Sequence, residues 1–457
     1  MVRINSWSLQ YENDCVKGND MSVRKTFARI LRLPALLRGL KEGGENWFLL
    51  SHSELDAYQL AQLNNVWRDA VENIPFYADW KVRHNLPDQI SSLEDYAKWP
   101  ILKKSELQAN PELLRRKTMR KHHESVTGGS TGEPLHFSTF PEQGQRVNAS
   151  ILMARAGLDF YPGDRVFLFW GHRHFYGHGM KAKVRFFVRR CKDWLNNSYR
   201  ADACDLSPRY LYIVGKKLNQ LNPEVVIAYS ASLLAFVRFA KEKGLPFTGN
   251  QLKCIVCTAG PLMKLERDEV ASYFCAPVYM EYGAMDAGCM AYMQKDGRYH
   301  VFQHYRMLHT INDGTGDLNL VTTLAKDYLP FFRYQVGDYL KDCTYTPDGR
   351  VLTIGEVYGR GSDVITLPSG NKCQCYTFMV CAEEIKKVLA YQLVKHANSF
   401  DFCVQVSEPL TLEERGQILE RAYSIIPELR NVEIKIVEKE ALVKAPSGKI
   451  RLLVEEK

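Results

Sequence analysis

Residues 254–286 read CIVCTAGPLMKLERDEVASYFCAPVYMEYGAMD, and the alternation inside this stretch decides the fold. Cys254 to Thr258 is a short apolar run of strand length, Lys264 to Phe274 has the length and mixed polarity of a helix, and Val278 to Tyr282 returns to strand composition. Strand, helix, strand in that order is the unit that joins parallel neighbours in one sheet. Working outward, Val225 to Tyr229 reads as strand and Leu233 to Lys243 as helix. Earlier still, Glu142 to Leu158 reads as helix and Arg165 to Trp170 as strand. Ligands of such sheets sit at the carboxyl ends of the strands. Thr258-Ala259-Gly260-Pro261 and Tyr282-Gly283-Ala284-Met285-Asp286 are therefore expected to line a site.

Upstream, Ser53 to Phe76 carries Leu60, Leu63, Trp67, Val71 and Ile74 at helical spacing, with Ser53 as expected cap and Pro75 as expected stop. The basic run Arg115 to His123 reads as helix-like. From Asp317 to about Asp363 the pattern changes to short alternating runs and turns, which predicts an antiparallel portion. Beyond Gly359 a smaller unit reads helix (Phe378 to Tyr391), strand (Phe402 to Ser407), helix (Leu412 to Ile425), strand (Val432 to Glu438). The fold class expected is α/β: a large N-terminal domain, 1–358, with mixed, largely parallel sheets and helices, then a small mobile α+β C-terminal domain, 359–457.

The chain has 457 residues, 46% hydrophobic and 25% charged, which predicts a folded globular protein. No apolar run reaches the length of a membrane span, and the N-terminus has charges where a secretory signal needs an apolar core. Twelve cysteines follow no framework of spacings and read as reduced thiols of a cytoplasmic protein. A formal charge of +8 does not by itself imply nucleic acid, and none is expected as a partner. Two basic concentrations, Arg24 to Lys41 and Lys181 to Lys192 (KAKVRFFVRRCK), read as solvated helix faces, or at most as peripheral contacts to an anionic membrane or a phosphorylated ligand. A homodimer is compatible with the composition.

Ser125 to Pro134, SVTGGSTGEP, sets three glycines and four hydroxyl residues in one loop. Glycine lets backbone N–H groups approach an anion closely, so the expected guest is a phosphate. Glu133 stands where a Walker-type loop would carry lysine.

The ordered set TGGSTGEP, YGAMD, RYQVGD, GRGSD and APSGKIR resembles the signature motifs of the adenylate-forming superfamily of acyl- and aryl-CoA ligases. The segment Asn64 to Trp80 and the run GDLNLVTTLAKDYLPFFRYQVGD are similar to the phenylacetate–CoA ligase-like group, including its capsule-biosynthesis (CapK-like) members. This resemblance, from about residue 55 onward, implies that ATP activates a carboxylic acid to an acyl-adenylate, and that a thiol, coenzyme A, then takes the acyl group.

The resemblance also implies residue roles. Thr127, Gly128, Gly129, Ser130, Thr131 and Gly132 would hold the departing phosphates, neutral donors suiting a charge that moves. Ala259, Gly260, Pro261, Tyr282, Gly283 and Ala284 would enclose adenine. Asp338 would accept from both ribose hydroxyls, and Arg360 would also reach the nucleotide. Asp286 falls where the family has a glutamate near Mg²⁺; one methylene shorter, it points to a water-bridged contact. Lys449 would meet the carboxylate and α-phosphate oxygens, with Gly359, Gly361 and Asp363 as hinge for a small domain that carries it away. Ser362 departs from the family's paired aspartates there.

The Trp170 to Gly179 loop is expected to line the acid pocket, with His178 near the carboxylate. His172, His174 and His178 suggest a metal cluster, but Gln294 and Tyr345 to Gly349 lack the cysteines that relatives place beside a histidine such as His300, so no structural zinc is expected. The run Lys181, Lys183, Arg185, Arg189, Arg190 and Lys192 is a candidate surface for the phosphates of coenzyme A. Two alternatives stand beside this reading: transfer of the acyl group to an amine, hydroxyl or carrier protein, and a nucleotide-binding regulator without catalysis.

Overall fold

The alternation seen in residues 254–286 builds the central sheet of a computed structural model that describes residues 25–26, 28–30, 34, 51–117, 120–126, 135–171, 180–262, 264–360, 364–367, 370, 372–375, 378, 381–382, 385, 387–396, 399–443 and 451–455. Ahead of the sheet, helix α1 (His52–Asn73) starts at Ser51 rather than Ser53: the Ser51 hydroxyl accepts from the Glu54 N–H while Glu54 accepts from the Ser51 N–H, a reciprocal cap. Ser53 has an acid three residues on as well, but Asp56 is committed to Arg350. Pro75 does more than stop α1. It opens helix α2 (Pro75–Arg83), at the first position, where a missing N–H costs nothing. Trp67 anchors both helices, with Trp99 and Phe332 edge-on at 4.9 and 5.1 Å.

Short helices α3 (Leu93–Tyr96) and α4 (Lys104–Ala109) follow. The run expected to be helical near residues 115–123 is not. Arg116 instead extends a buried guanidinium to Asp69 at 2.5 Å and to the Asp327 carbonyl at 2.8 Å, and His123 already belongs to strand β1 (His123–Val126), antiparallel to β2 (His136–Thr139). Long-range pairing of one arginine overrides the local helix preference.

After α5 (Pro141–Ala156) the chain winds the sheet: β3 (Val166–Phe169), α6 (Met180–Leu195), β4 (Ser198–Ala201), α7 (Pro208–Leu221), β5 (Val225–Tyr229), α8 (Ser230–Glu242), β6 (Cys254–Thr258), α9 (Lys264–Phe274) and β7 (Val278–Ala284). Strands β4, β3, β5, β6 and β7 are parallel neighbours in that order. Beyond β7 the direction alternates through β8 (Gly288–Met293) and β9 (Tyr299–Val301). A separate antiparallel sheet contains β10 (Arg306–Asn312), β11 (Asp317–Thr323) and β12 (Tyr334–Lys341). Strands β13 (Thr344–Tyr345) and β14 (Val351–Ile354) return to the edge of the first sheet, and β15 (Glu356–Arg360) joins β12. Because β4 lies outside β3 while β5 lies on its other side, the chain reverses its winding between β3 and β5, and a crevice is expected at their carboxyl ends.

The C-terminal part holds a hairpin of β16 (Val364–Thr366) and β17 (Lys372–Gln374), then β18 (Val388–Lys395), β19 (Ser399–Val406), α10 (Leu412–Ile425), β20 (Glu433–Glu438) and β21 (Leu453–Glu455). Its sheet runs β20-β19-β18-β21. The helix expected from Phe378 to Tyr391 therefore ends early. Val388 onward is strand, because VLAYQLVK pairs on both sides, antiparallel with β19 and parallel with β21, and its Gln392, Leu393 and Val394 are all buried. The main core draws on residues from Leu63 to Ile354, and a second core, around Phe402, Val404 and Ile418, on residues from Ile365 onward. No helix among the described residues is long and apolar enough to cross a membrane.

Candidate active site

At the end of β6 the backbone turns through Ala259, at φ 67°. This left-handed conformation costs an ordinary L-residue about 1–2 kcal/mol. The strain is held by Ser230, the buried first residue of α8, whose hydroxyl lies 3.1 Å from the Thr258 carbonyl and 2.7 Å from that of Gly260. One side chain from the end of β5 thus fixes the turn after β6. A Cβ at Gly260 would meet nothing within 4 Å, so this turn borders open space.

Tyr282, on β7, is buried in the main core, edge-on to Tyr299, and it reaches the site through its hydroxyl. That hydroxyl accepts from Asn319 at 2.8 Å and donates to the Asp338 carboxylate at 3.2 Å. Asp338 lies on β12 directly opposite Arg360 of β15. The residue before it, Gly337, has φ 90°, which favours glycine. Next to Tyr282, Gly283 is required by close approach: a Cβ there would stand 2.7 Å from the Gly288 carbonyl oxygen and 2.9 Å from the Cys289 Cα.

Asp286 follows in the connection to β8. One carboxylate oxygen accepts from Tyr334 at 2.7 Å, the other from the Ala287 N–H at 3.0 Å. Burial and the neighbouring carboxylate push the Tyr334 phenol well above its ordinary value, so it stays a donor. The loop is held from behind by buried Arg306, which donates to the Ala287 carbonyl through Nε at 3.1 Å and Nη2 at 2.8 Å. Arg306 and Arg146 both meet Asp327. Burial and these two arginines push His304 down to about 3, and its Nε2 lies 2.8 Å from the Ser150 hydroxyl. A single half-buried carboxylate with spare lone pairs suits a hard cation that takes its remaining ligands from phosphates and water, so Asp286 fits Mg²⁺ of that kind. At the reversal between β3 and β5, Trp170 and Tyr229 lie 4.8 Å apart, and the Tyr229 hydroxyl donates to the Gly171 carbonyl at 3.0 Å.

No family model matches the chain. Over 302 residues it is 22% identical to Protein CapK of Staphylococcus aureus, a match covering 64% of this chain and 65% of that relative, just under two thirds of it. It is 25% identical over 352 residues to the phenylacetate-coenzyme A ligase of Aromatoleum evansii, covering 70% of this chain and 74% of the relative. Among solved structures, 2-hydroxyisobutyryl-CoA ligase in its postadenylation state superposes with a TM-score of 0.68 at 15% identity, over 89% of this chain and 91% of that one. The chain has the fold of the adenylate-forming ligases, and its sequence is similar to CapK and to phenylacetate-coenzyme A ligase.

Seen as an adenylate-forming ligase fold, the structure brings Ala259, Gly260 and Pro261, Tyr282 to Ala284, and Asp286 to the carboxyl ends of β6 and β7, and sets Asp338 against Tyr282 and Arg360. Thr127, Gly128, Gly129, Ser130, Thr131, Gly132, His172, His174, His178, Gly361, Ser362, Asp363 and Lys449 lie outside the described residues. Their anchors are described. Val126 pairs with His136, so β1 ends just before the glycine-rich stretch and β2 begins just after it. Residues 444–450, which contain Lys449, leave at Val443 and return at Arg451, whose N–H donates to the Val443 carbonyl at 3.0 Å. Buried Gln392 of β18 clamps both ends: its Nε2 donates to the Val443 carbonyl at 3.0 Å and to that of Arg451 at 2.7 Å, and its Oε1 accepts from the Val443 N–H at 3.2 Å.

Ser230, Asn319, Arg306 and Gln392 were not singled out from the sequence of this ligase fold, since each acts on residues distant in the chain. A glutamine amid the apolar VLAYQLVK was the one visible signal. Of the basic run considered for coenzyme A, Arg189 is ion-paired with Asp193 at 3.2 Å and Arg190 lies over the Tyr199 ring at 4.8 Å. His300 meets Asp296 at 2.8 Å and Gln294 donates to the Ala154 carbonyl at 3.3 Å.

Proposed function

We propose that the protein is an acid–thiol ligase. A carboxylate oxygen attacks the α-phosphorus of ATP, pyrophosphate leaves, and the sulfur of coenzyme A then attacks the acyl carbon and expels AMP. The observation that carries this reading is the Tyr282–Asp338 hydrogen bond beside the strand pairing of Asp338 with Arg360. A carboxylate oriented by a phenol, on a residue paired across the strands with an arginine, suits the two adjacent hydroxyls of a ribose. The Ala259–Pro261 turn and Gly283-Ala284 would border the base, with Tyr282 positioning Asp338. The Trp170–Tyr229 pair at the sheet reversal would border the acid.

In this reading Asp286, held by Tyr334 and the Arg306-braced loop, would hold Mg²⁺, which offsets phosphate charge when bound. Thr127 to Gly132 would supply hydroxyl and N–H donors to the leaving phosphates. Lys449 would place an ammonium against the oxygens that gather charge at the α-phosphorus. The small domain, with its boundary near Gly359, would carry that lysine in and out. Cys254 and Cys257, buried thiols pushed up to about 12 by burial, fit a reducing cytoplasm.

The test is acid-dependent exchange of labelled pyrophosphate into ATP, followed by product analysis with coenzyme A. Lys449→Ala should raise the barrier of the exchange by several kcal/mol, on the order of one lost transition-state contact, and leave consumption of a supplied acyl-adenylate far less affected. Equal loss in both halves removes the role from Lys449. Acyl-adenylate formed without a coenzyme A thioester, but with an acylated amine, hydroxyl or carrier protein, rejects the acceptor.

A further inference from the structure

Helix α6 is amphipathic the wrong way round for a surface helix. Val184, Phe187, Val188, Cys191 and Trp194 recur at helical spacing, yet Phe187 is 69% exposed and Val184 and Trp194 are each 56% exposed. A surface helix ordinarily turns such a stripe to the core. Among its described side chains, the buried contact of α6 with the protein is ionic: Asp193 pairs with Arg189 at 3.2 Å and with Arg200 of the edge strand β4 at 3.0 Å. Arg190 of α6 and Lys217 of α7 both lie over the ring of Tyr199 on β4, at 4.8 and 5.2 Å, so the two helices flank one edge of the sheet.

The charge around this apolar patch has one sign. Helix α6 carries six lysines and arginines and a single acid, Asp193, which is buried in its ion pairs. On α6 the helical period puts exposed Arg190 and Lys192 on opposite flanks of the stripe. Exposed aromatics and aliphatics bordered by cations are the surface chemistry of a helix that lies in the plane of an anionic lipid interface.

We propose that α6 docks the protein onto an anionic membrane surface, with Phe187 and Trp194 entering the acyl boundary and Arg190 and Lys192 meeting lipid phosphates. A second copy of the chain is the competing occupant. In a two-fold interface the same patch faces itself, which would bring both sets of cations together without acids to offset them.

Sedimentation of the full chain with vesicles of phosphatidylcholine, alone or mixed with phosphatidylglycerol, tests this. The protein should pellet with the anionic vesicles, and less so at high salt. Phe187→Ser with Trp194→Ser should lower partitioning about ten-fold or more even at low salt. Arg190→Gln with Lys192→Gln should lower it about ten-fold, chiefly at low salt. These side chains are exposed, so melting should stay unchanged and report a folded protein. The proposal is overturned if the unaltered chain ignores anionic vesicles, if the Phe187/Trp194 variant pellets as well as the parent, or if that variant turns a dimer into a monomer in analytical ultracentrifugation, which assigns the stripe to a second copy.

Discussion

Asp338 and Tyr282 divide one task, and their variants should separate accordingly. Asp338→Ala removes the carboxylate that would take two ribose hydroxyls, and should cost about 2–4 kcal/mol of ATP binding by calorimetry. Tyr282→Phe keeps that carboxylate but removes the donor at 3.2 Å and the acceptor of the buried Asn319 amide. It should weaken ATP by about ten-fold at most, and should lower stability by about 1–3 kcal/mol because the buried amide keeps only a weak contact to the Met290 sulfur at 3.9 Å. If Tyr282→Phe weakens ATP as much as Asp338→Ala does, the tyrosine contacts the nucleotide itself. Ala259 gives a prediction of opposite sign: Ala259→Gly relieves a left-handed residue at φ 67°, and after the entropy cost of glycine should raise stability by about 0.5–1 kcal/mol in urea melts.

Among elements, strands β5, β6 and β7 were legible because buried parallel strands are written as short apolar runs between helices. Strand β18 was not, since AEEIKKVLAYQLVK has the length and charge spacing of a helix and only its pairing with β19 and β21 makes it a strand. The same pairing hid the most consequential residue of the small unit. Gln392 holds both ends of residues 444–450 through three hydrogen bonds. Gln392→Ala should therefore slow acyl-adenylate formation by about 1–3 kcal/mol in barrier while largely sparing consumption of a supplied adenylate. An equal effect on both half-reactions would reduce Gln392 to a stabilising residue. Likewise, the family resemblance implied Asp338 and Arg360 as parts of one nucleotide site, whereas Ser230 and Arg306 carry no local signature and became visible only through the carbonyls they hold.

For the whole molecule, two buried histidines set the response to acid. His304 and His309 are pushed down to about 3, burial being the larger cause, whereas an unfolded histidine takes a proton near 6.5. Between those values the unfolded chain binds more protons, so stability falls as pH falls below about 6.5, by up to about 1.4 kcal/mol per pH unit for each histidine. Chemical denaturation at pH 7, 6 and 5 should show this slope, and His309→Gln should flatten it. An unchanged slope would mean that His309 takes up a proton in the folded protein. The clamp at residues 443 and 451 has a further consequence. Strand β21 is only Leu453–Glu455, and it stays on β18 because the chain delivers it there. A single proteolytic nick between residues 444 and 450 would break that tether, and β21 would hold to β18 without the high effective concentration that the intact chain supplies. Cleavage at one bond would thus loosen an edge of the small sheet and the Gln392 clamp on Arg451 together, a paired loss that mass spectrometry of a lightly digested sample can follow as it happens.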